Sequence, residues 1–480
     1  MGSVTSTNGE TPQSKLPADF VWGYATASYQ IEGAYDEDGR GPSIWDTFSK
    51  TPGKVEDGTN GDVACDSYHR THEDIAILKQ YGAKLYRFSL SWPRIIPLGG
   101  RNDPINQKGI DFYSKFIDDL HAAGIEPFVT LYHWDLPDEL FKRYGGPLNK
   151  DEFVADYANF ARIAFQSFGH KVKHWVTFNE PWCSSVLGFN IGKHAPGRTS
   201  DRKPWIAGHS LLVAHGTAVD IYRKEFKPTQ GGEIGITLNG DWAEPWDPED
   251  PEDIEACTRK LEFAISWFAD PIYLGKYPDS VVKQIGDRLP PLTPDEVALI
   301  KGSNDFYGMN HYCANYIRHR EGEADPDDTA GNLDHLFEDK FGNSIGPETN
   351  CEWLRPHPLG FRKLLKWLSD RYGYPKIYVT ENGTSIKGEN DLPLEELLND
   401  EFRVQYYRDY VGAMADAATF DGVNVKKYMA WSLMDNFEWS EGYQSRFGVT
   451  YVDYKDNQKR IPKKSALVIG ELFNKYISKE

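Results

Sequence analysis

The chain lacks most of what would commit it to a membrane, a nucleic acid or an oxidising compartment. It contains no uninterrupted apolar run of the roughly eighteen residues that a membrane-spanning helix needs. Positive charge is in deficit. Lys and Arg number 53 against 72 Asp and Glu, a net charge of −19. Such a surface repels nucleic acid and anionic lipid, so neither is expected as a partner. Cysteine is scarce: Cys65, Cys183, Cys257, Cys313 and Cys351, with no C-x-x-C pair. That excludes a disulfide framework or a zinc knuckle and fits a reducing compartment. No G-x-G-x-x-G follows a strand pattern, and there is no Walker loop, no G-x-S-x-G and no H-E-x-x-H.

The first residues, "MGSVTSTNGETPQSK", are polar and lack the apolar core of a secretory leader. Residues 1–15 are expected to form a disordered tail, residues 16–480 one domain, and the location to be cytoplasmic. Gly2 and Ser6 fit the loose N-myristoylation pattern. A single acyl chain anchors only marginally and no basic patch is nearby, so a plain tail is the simpler reading. The one sequon, Asn382-Gly383-Thr384, is expected to be accidental.

What the chain does have is a series of short apolar or β-branched runs between amphipathic helical patterns. They begin at Asp19, Lys84, Glu126, His174, Glu233, Asp305, Lys376 and Lys427. Helical patterns such as "GIDFYSKFIDDLHAAG" and "DEFVADYANFARIAFQSFG" lie between them, the second stopping at Gly169. Strands alternating with helices imply a parallel sheet with right-handed crossovers. With no linker to divide the chain, the expected fold is α/β: a single (β/α)8 TIM barrel with elaborated βα loops. A doubly wound open sheet is the structural alternative. The polar stretch 321–350 is expected to be a surface loop.

Polar and aromatic residues gather where these runs end: Gln30, Arg87, His133 with Trp134, Asn179 with Glu180, Asn239, Asn310 with Tyr312, Glu381 with Asn382, and Trp431 followed by Glu438 and Trp439. In a barrel all of these ends face one mouth. Singly, each has a structural explanation. Together they would ring one concavity with hydrogen-bonding groups and flat apolar faces, as a polyhydroxylated ligand requires.

Glu180, in "TFNEP", and Glu381, in "YVTENG", are 201 residues apart in sequence but would meet across that mouth. Two facing carboxyls suit glycoside hydrolysis, one as acid and one as an ionised nucleophile. The roles need different pKa values. Burial and a neighbouring negative charge raise one; an arginine and hydrogen-bond donors hold the other down, with Arg87 and Tyr312 as candidates. Each glutamate could instead be a carboxylate at a helix N-terminus, or both could join His133 at a metal. His69 and His72 read as surface residues.

These stretches, with "FVWGYATASYQIEG", "GPSIWDTF", "LYRFSLSWPRI", "LYHWDLP", "HAPG", "GMNHY" and "WSLMDNFEW", resemble glycoside hydrolase family 1 over nearly the whole chain. Within the family the likeness is to intracellular β-glucosidases of filamentous fungi. The resemblance implies Glu180 as acid/base and Glu381 as nucleophile. It implies Asn179 at the sugar 2-hydroxyl, and Gln30, His133, Trp134, Glu438 and Trp439 around the other hydroxyls. Trp431 would form a stacking floor beside Phe447, and Arg87 and Tyr312, with Asn310, would support the nucleophile. Trp182, Leu187 and Asn239 would form the aglycone side. The resemblance implies no metal and no organic cofactor. The implied substrates are β-glucosides and cello-oligosaccharides, with β-galactoside or β-fucoside as secondary substrates. Glutamate rather than glutamine at 180 implies an O-glycosidase. Glu438, with no lysine in "SEGYQSRFG", implies an unphosphorylated sugar. A sugar-binding protein without turnover is the alternative from a different class.

Overall fold

The computed structural model describes residues 13–479. Gly2, Ser6 and most of the expected tail lie outside the described residues. Lys15 N donates to Thr419 Oγ1 at 2.8 Å, and Leu16 bridges to Ile477.

Eight parallel strands close into a barrel. They are β1 (Val21–Ala25), β2 (Leu85–Ser89), β3 (Glu126–Tyr132), β4 (His174–Asn179), β5 (Glu233–Asn239), β6 (Tyr307–Asn310), β7 (Ile377–Asn382) and β8 (Val425–Trp431). Each falls within one of the apolar runs. β1 closes the ring by pairing with both β2 and β8. The strands are almost wholly buried, as expected of a parallel sheet covered by helices on its outside.

The helices form for local reasons. Gln107–Ala122 buries Gly109, Tyr113, Phe116, Ile117 and Leu120, a stripe at helical spacing. Lys150–Phe168 starts where the Asn149 side chain accepts from Glu152 N–H, carries Asp151 and Glu152 in its first turn, and stops at Gly169. His69 and His72 are well exposed at the start of the helix Thr71–Gln80.

The loops at the C-terminal ends of the strands carry structure of their own. Trp242–Pro245, Ala314–His319 and Leu333–Leu336 form a three-stranded sheet from the loops after β5 and β6. Stretch 321–350 is therefore not simply a loop. Its segment Leu333–Leu336 pairs antiparallel with Ala314–His319, covering an edge that the barrel cannot. Asn382 is buried, with Nδ2 donating to His311 O and Tyr406 Oη, each at 2.8 Å, so a glycan has no access to it. Gly383 is required by close approach, since a Cβ there would lie 1.7 Å from Trp431 O.

Candidate active site

The C-terminal ends of the barrel strands surround a cavity of about 350 Å³. Glu180 and Glu381 both line it, with His133, Trp134, Asn310, Tyr312, Trp431, Glu438, Trp439 and Phe447. Trp182, Leu187 and Asn239 lie on its wall as well. Gln30, Arg87 and Asn179 are fully buried immediately behind this surface.

Local backbone geometry aims these groups. Pairing slips between Val176 and Asn179 on β4, and between Val379 and Glu381 on β7, so both strands are irregular just where their functional side chains leave them. Three site residues are in the left-handed region: Trp134 (φ 76°), Glu180 (φ 47°) and Trp439 (φ 53°). Such conformations are unfavourable for large side chains and persist where the surroundings enforce them, often at functional sites. At Glu180 the N–H donates to Thr237 O at 2.9 Å.

The two carboxyls have different neighbours. Glu381 Oε1 accepts from Arg87 Nη1 at 2.7 Å, and its Oε2 accepts from Tyr312 Oη at 2.6 Å. Burial pushes Glu381 up, and the guanidinium and phenol oppose that push. Glu180 Oε1 accepts from the neutral amide of Asn310 at 2.8 Å, and Cys183 Sγ lies 3.4 Å from Oε2. Its side chain turns to these groups rather than to helix N–H groups. Burial first, and then the charge of Glu381, push Glu180 up to about 8. One buried proton shared by this pair therefore resides on Glu180, because Arg87 and Tyr312 stabilise an anion at Glu381 and nothing comparable faces Glu180.

The remaining groups form a connected network. Asn179 Oδ1 accepts from Arg87 Nη2 at 2.6 Å and from Asn310 Nδ2 at 3.1 Å, which fixes its amide orientation. Its Nδ2 then donates to His133 Nε2 at 3.0 Å. This assigns the proton of His133 to Nδ1, and burial followed by the charge of Arg87 keeps the ring neutral. His133 Nδ1, Gln30 Oε1 and Glu438 Oε2 are buried without a protein partner. His133 and Glu438 line the cavity and Gln30 lies just behind it, a placement that suits hydroxyls of a ligand. Burial, then Glu441, Glu381 and Glu180, push Glu438 well above the usual carboxylate range. Aromatic rings make the wall: Trp134 and Trp439 lie 4.6 Å apart between centroids, and His133 stacks on Trp431 at 5.9 Å.

A metal at Glu180, Glu381 and His133 would have Arg87 beside it and would compete with these bonds. Among the described residues, the one cluster of three side chains able to hold an ion is Glu252, His319 and Glu321, none of which lines this cavity. The cavity also has lining residues not expected from strand ends, including Cys183, Lys193, Asp241, Trp353 and Glu441. All lie within the long loops, where no periodic pattern marks them.

A closed (β/α)8 barrel whose mouth sets two buried carboxyls among indole rings has the architecture of a glycoside hydrolase. The chain belongs to glycosyl hydrolase family 1, whose family profile matches residues 12–476. It is 56% identical to Beta-glucosidase 1B of Phanerodontia chrysosporium over 477 residues, 97% of this chain and 87% of that protein. Its structure is similar to that of a GH1 β-glucosidase from the fungus Humicola insolens in complex with glucose. That match has a TM-score of 0.97 and 68% identity, and covers 98% of this chain and all of the other. It is also similar to the β-glucosidase of Trichoderma harzianum, with a TM-score of 0.96, 63% identity and 99% of this chain covered.

Proposed function

We propose that the protein is a retaining β-glucosidase that removes terminal non-reducing glucosyl residues from cellobiose, short cello-oligosaccharides and aryl or alkyl β-glucosides. The observation that carries this reading is the asymmetry of the two carboxyls. Arg87 and Tyr312 occupy both oxygens of Glu381, while Glu180 has the elevated pKa of an acid.

The reaction follows from that asymmetry. Protonated Glu180 donates to the glycosidic oxygen as Glu381 attacks the anomeric carbon, forming a glucosyl ester and releasing the aglycone. The attack removes the negative charge on Glu381. One of the two causes that raise Glu180 then disappears, its pKa falls, and the carboxylate can take a proton from water in the second step. Water opens the ester, the original anomeric configuration is restored, and Glu180 is again protonated. Asn179 precedes Glu180 and bonds to Arg87, the partner of Glu381, and is proposed to hold the 2-hydroxyl. Gln30, His133, Glu438 and Trp439 would hold the other hydroxyls over the Trp431 face, with Glu438 at the 4- and 6-hydroxyls. Transfer to a second sugar in place of water, and slower cleavage of β-galactosides or β-fucosides, are proposed as side activities.

The test is to mix the protein with an aryl β-glucoside and follow the anomeric protons of released glucose by NMR. β-Glucose appearing ahead of mutarotation supports the mechanism. α-Glucose appearing first removes Glu381 from the nucleophile role.

A further inference from the structure

Outside the cavity lining lies a buried network of charge. Three cations, Arg403, Arg446 and Lys463, meet three anions, Asp400, Glu389 and Asp435. All six are buried. Lys463 Nζ is the bridge, 2.9 Å from Glu389 Oε1 and 2.9 Å from Asp435 Oδ1. Stability alone is a poor explanation, because buried ion pairs are often matched or bettered by well-packed apolar side chains.

What the network does is tie two loops together. Arg403 donates through Nε to Thr384 O at 3.1 Å, three residues beyond Glu381, and through Nη2 to Arg446 O at 2.9 Å. Asp435, three residues before Glu438, accepts from Arg446 Nη1 at 2.6 Å and from Gly448 N, next to Phe447, at 3.0 Å. The loop after β8 is therefore held at both ends of its functional stretch. Between those ends sit Glu438, Trp439 and Phe447. Glu438 is held through its backbone, its N–H donating to Gly442 O at 2.7 Å, while its Oε2 has no protein partner. The loop that carries Glu438, together with Gln30 beside its carboxyl, sets its position.

We infer that Lys463, through Glu389 and Asp435, is a positioning residue for the sugar site, fixing the loop of Glu438 and so setting discrimination at the sugar's 6-position. The inference rests on the β-glucosidase reading, in which Glu438 faces the 4- and 6-hydroxyls. A carboxyl displaced by a fraction of an ångström loses a directional hydrogen bond but not the stacking on Trp431.

The test compares an aryl β-glucoside with its 6-deoxy analogue in wild type, Lys463→Met and Lys463→Arg. Lys463→Met is expected to reduce the preference for the 6-hydroxyl, read as a ratio of kcat/KM, by about tenfold. A rise in KM of the glucoside should carry most of that change, and Lys463→Arg should recover part of it. If Lys463→Met does not fold, Glu389→Gln is read in the same way. A ratio within about twofold of wild type, alongside a lowered Tm, would overturn the inference and leave a purely structural network. Binding of glucose and 6-deoxyglucose, followed by tryptophan fluorescence, separates this from the functional reading. Wild type that binds both sugars but hydrolyses no glucoside defeats the enzyme reading, while the binding ratio still tests Lys463. Wild type that binds neither sugar defeats both.

Discussion

Arg87 Nη1 lies 2.7 Å from Glu381 Oε1, in a place where neither side chain is more than 4% exposed. The same guanidinium donates to Thr130 Oγ1, Thr380 O and Asn179 Oδ1. It is thus both the counter-charge of one carboxyl and the clamp that joins β2, β3, β4 and β7 at the mouth.

Replacing Arg87 by methionine removes the strongest influence that holds Glu381 down, so the Glu381 pKa rises further. The acid limb of kcat/KM should move to higher pH, and kcat near neutrality should fall by about a hundredfold or more. Leaving Glu381 buried without its cation should also destabilise the fold by about 3–5 kcal/mol. Steady-state pH profiles and thermal unfolding check both effects. An unmoved acid limb would show that Arg87 does not tune Glu381.

Glu180 makes the opposite kind of prediction. Its folded pKa of about 8 lies above the value near 4.3 expected for an unfolded chain. The folded state therefore favours the protonated form. The stability this gives is fully present below about pH 4.3 and is lost as pH rises through about 8. Glu180→Gln cannot ionise, so its Tm relative to wild type should climb between about pH 5 and 8. The alkaline limb of hydrolysis should vanish in the same variant. A Tm difference independent of pH would contradict the assignment.

Glu438→Ser should lower kcat/KM for β-glucosides by roughly 10–100-fold, because it removes hydrogen bonds made by a buried acid group. β-Xylosides, which have no 6-hydroxyl, should lose less. Kinetics across a glucoside and xyloside pair give the answer, and unchanged glucoside turnover would remove Glu438 from the sugar site.

The barrel was legible because each strand is an apolar run, as in "EPFVTLY", set between helices with apolar stripes at helical spacing. Much of the site was legible for the same reason. Strand ends are fixed by the strands, so Glu180, Asn179, Asn310 and Glu381 could be placed at one mouth from spacing alone. Three features could not be read. The left-handed backbone at Trp134, Glu180 and Trp439 is imposed by tertiary contacts and leaves no glycine to mark it. The strand Leu333–Leu336 depends on a partner edge supplied by a different loop. Lys193, Asp241, Trp353 and Glu441 reach the cavity from loops with no periodic pattern, so sequence does not say which way they point.

The most direct measurement of the two-carboxyl mechanism uses Glu180→Gln with an aryl β-glucoside whose leaving group departs without acid assistance. The first step should proceed through Glu381, and the second should stall for want of a base. Mass spectrometry should then find one anhydroglucose added to the protein, and peptide mapping should place it on Glu381. Sugar attached at another residue, or no adduct despite a released aglycone, would contradict the account.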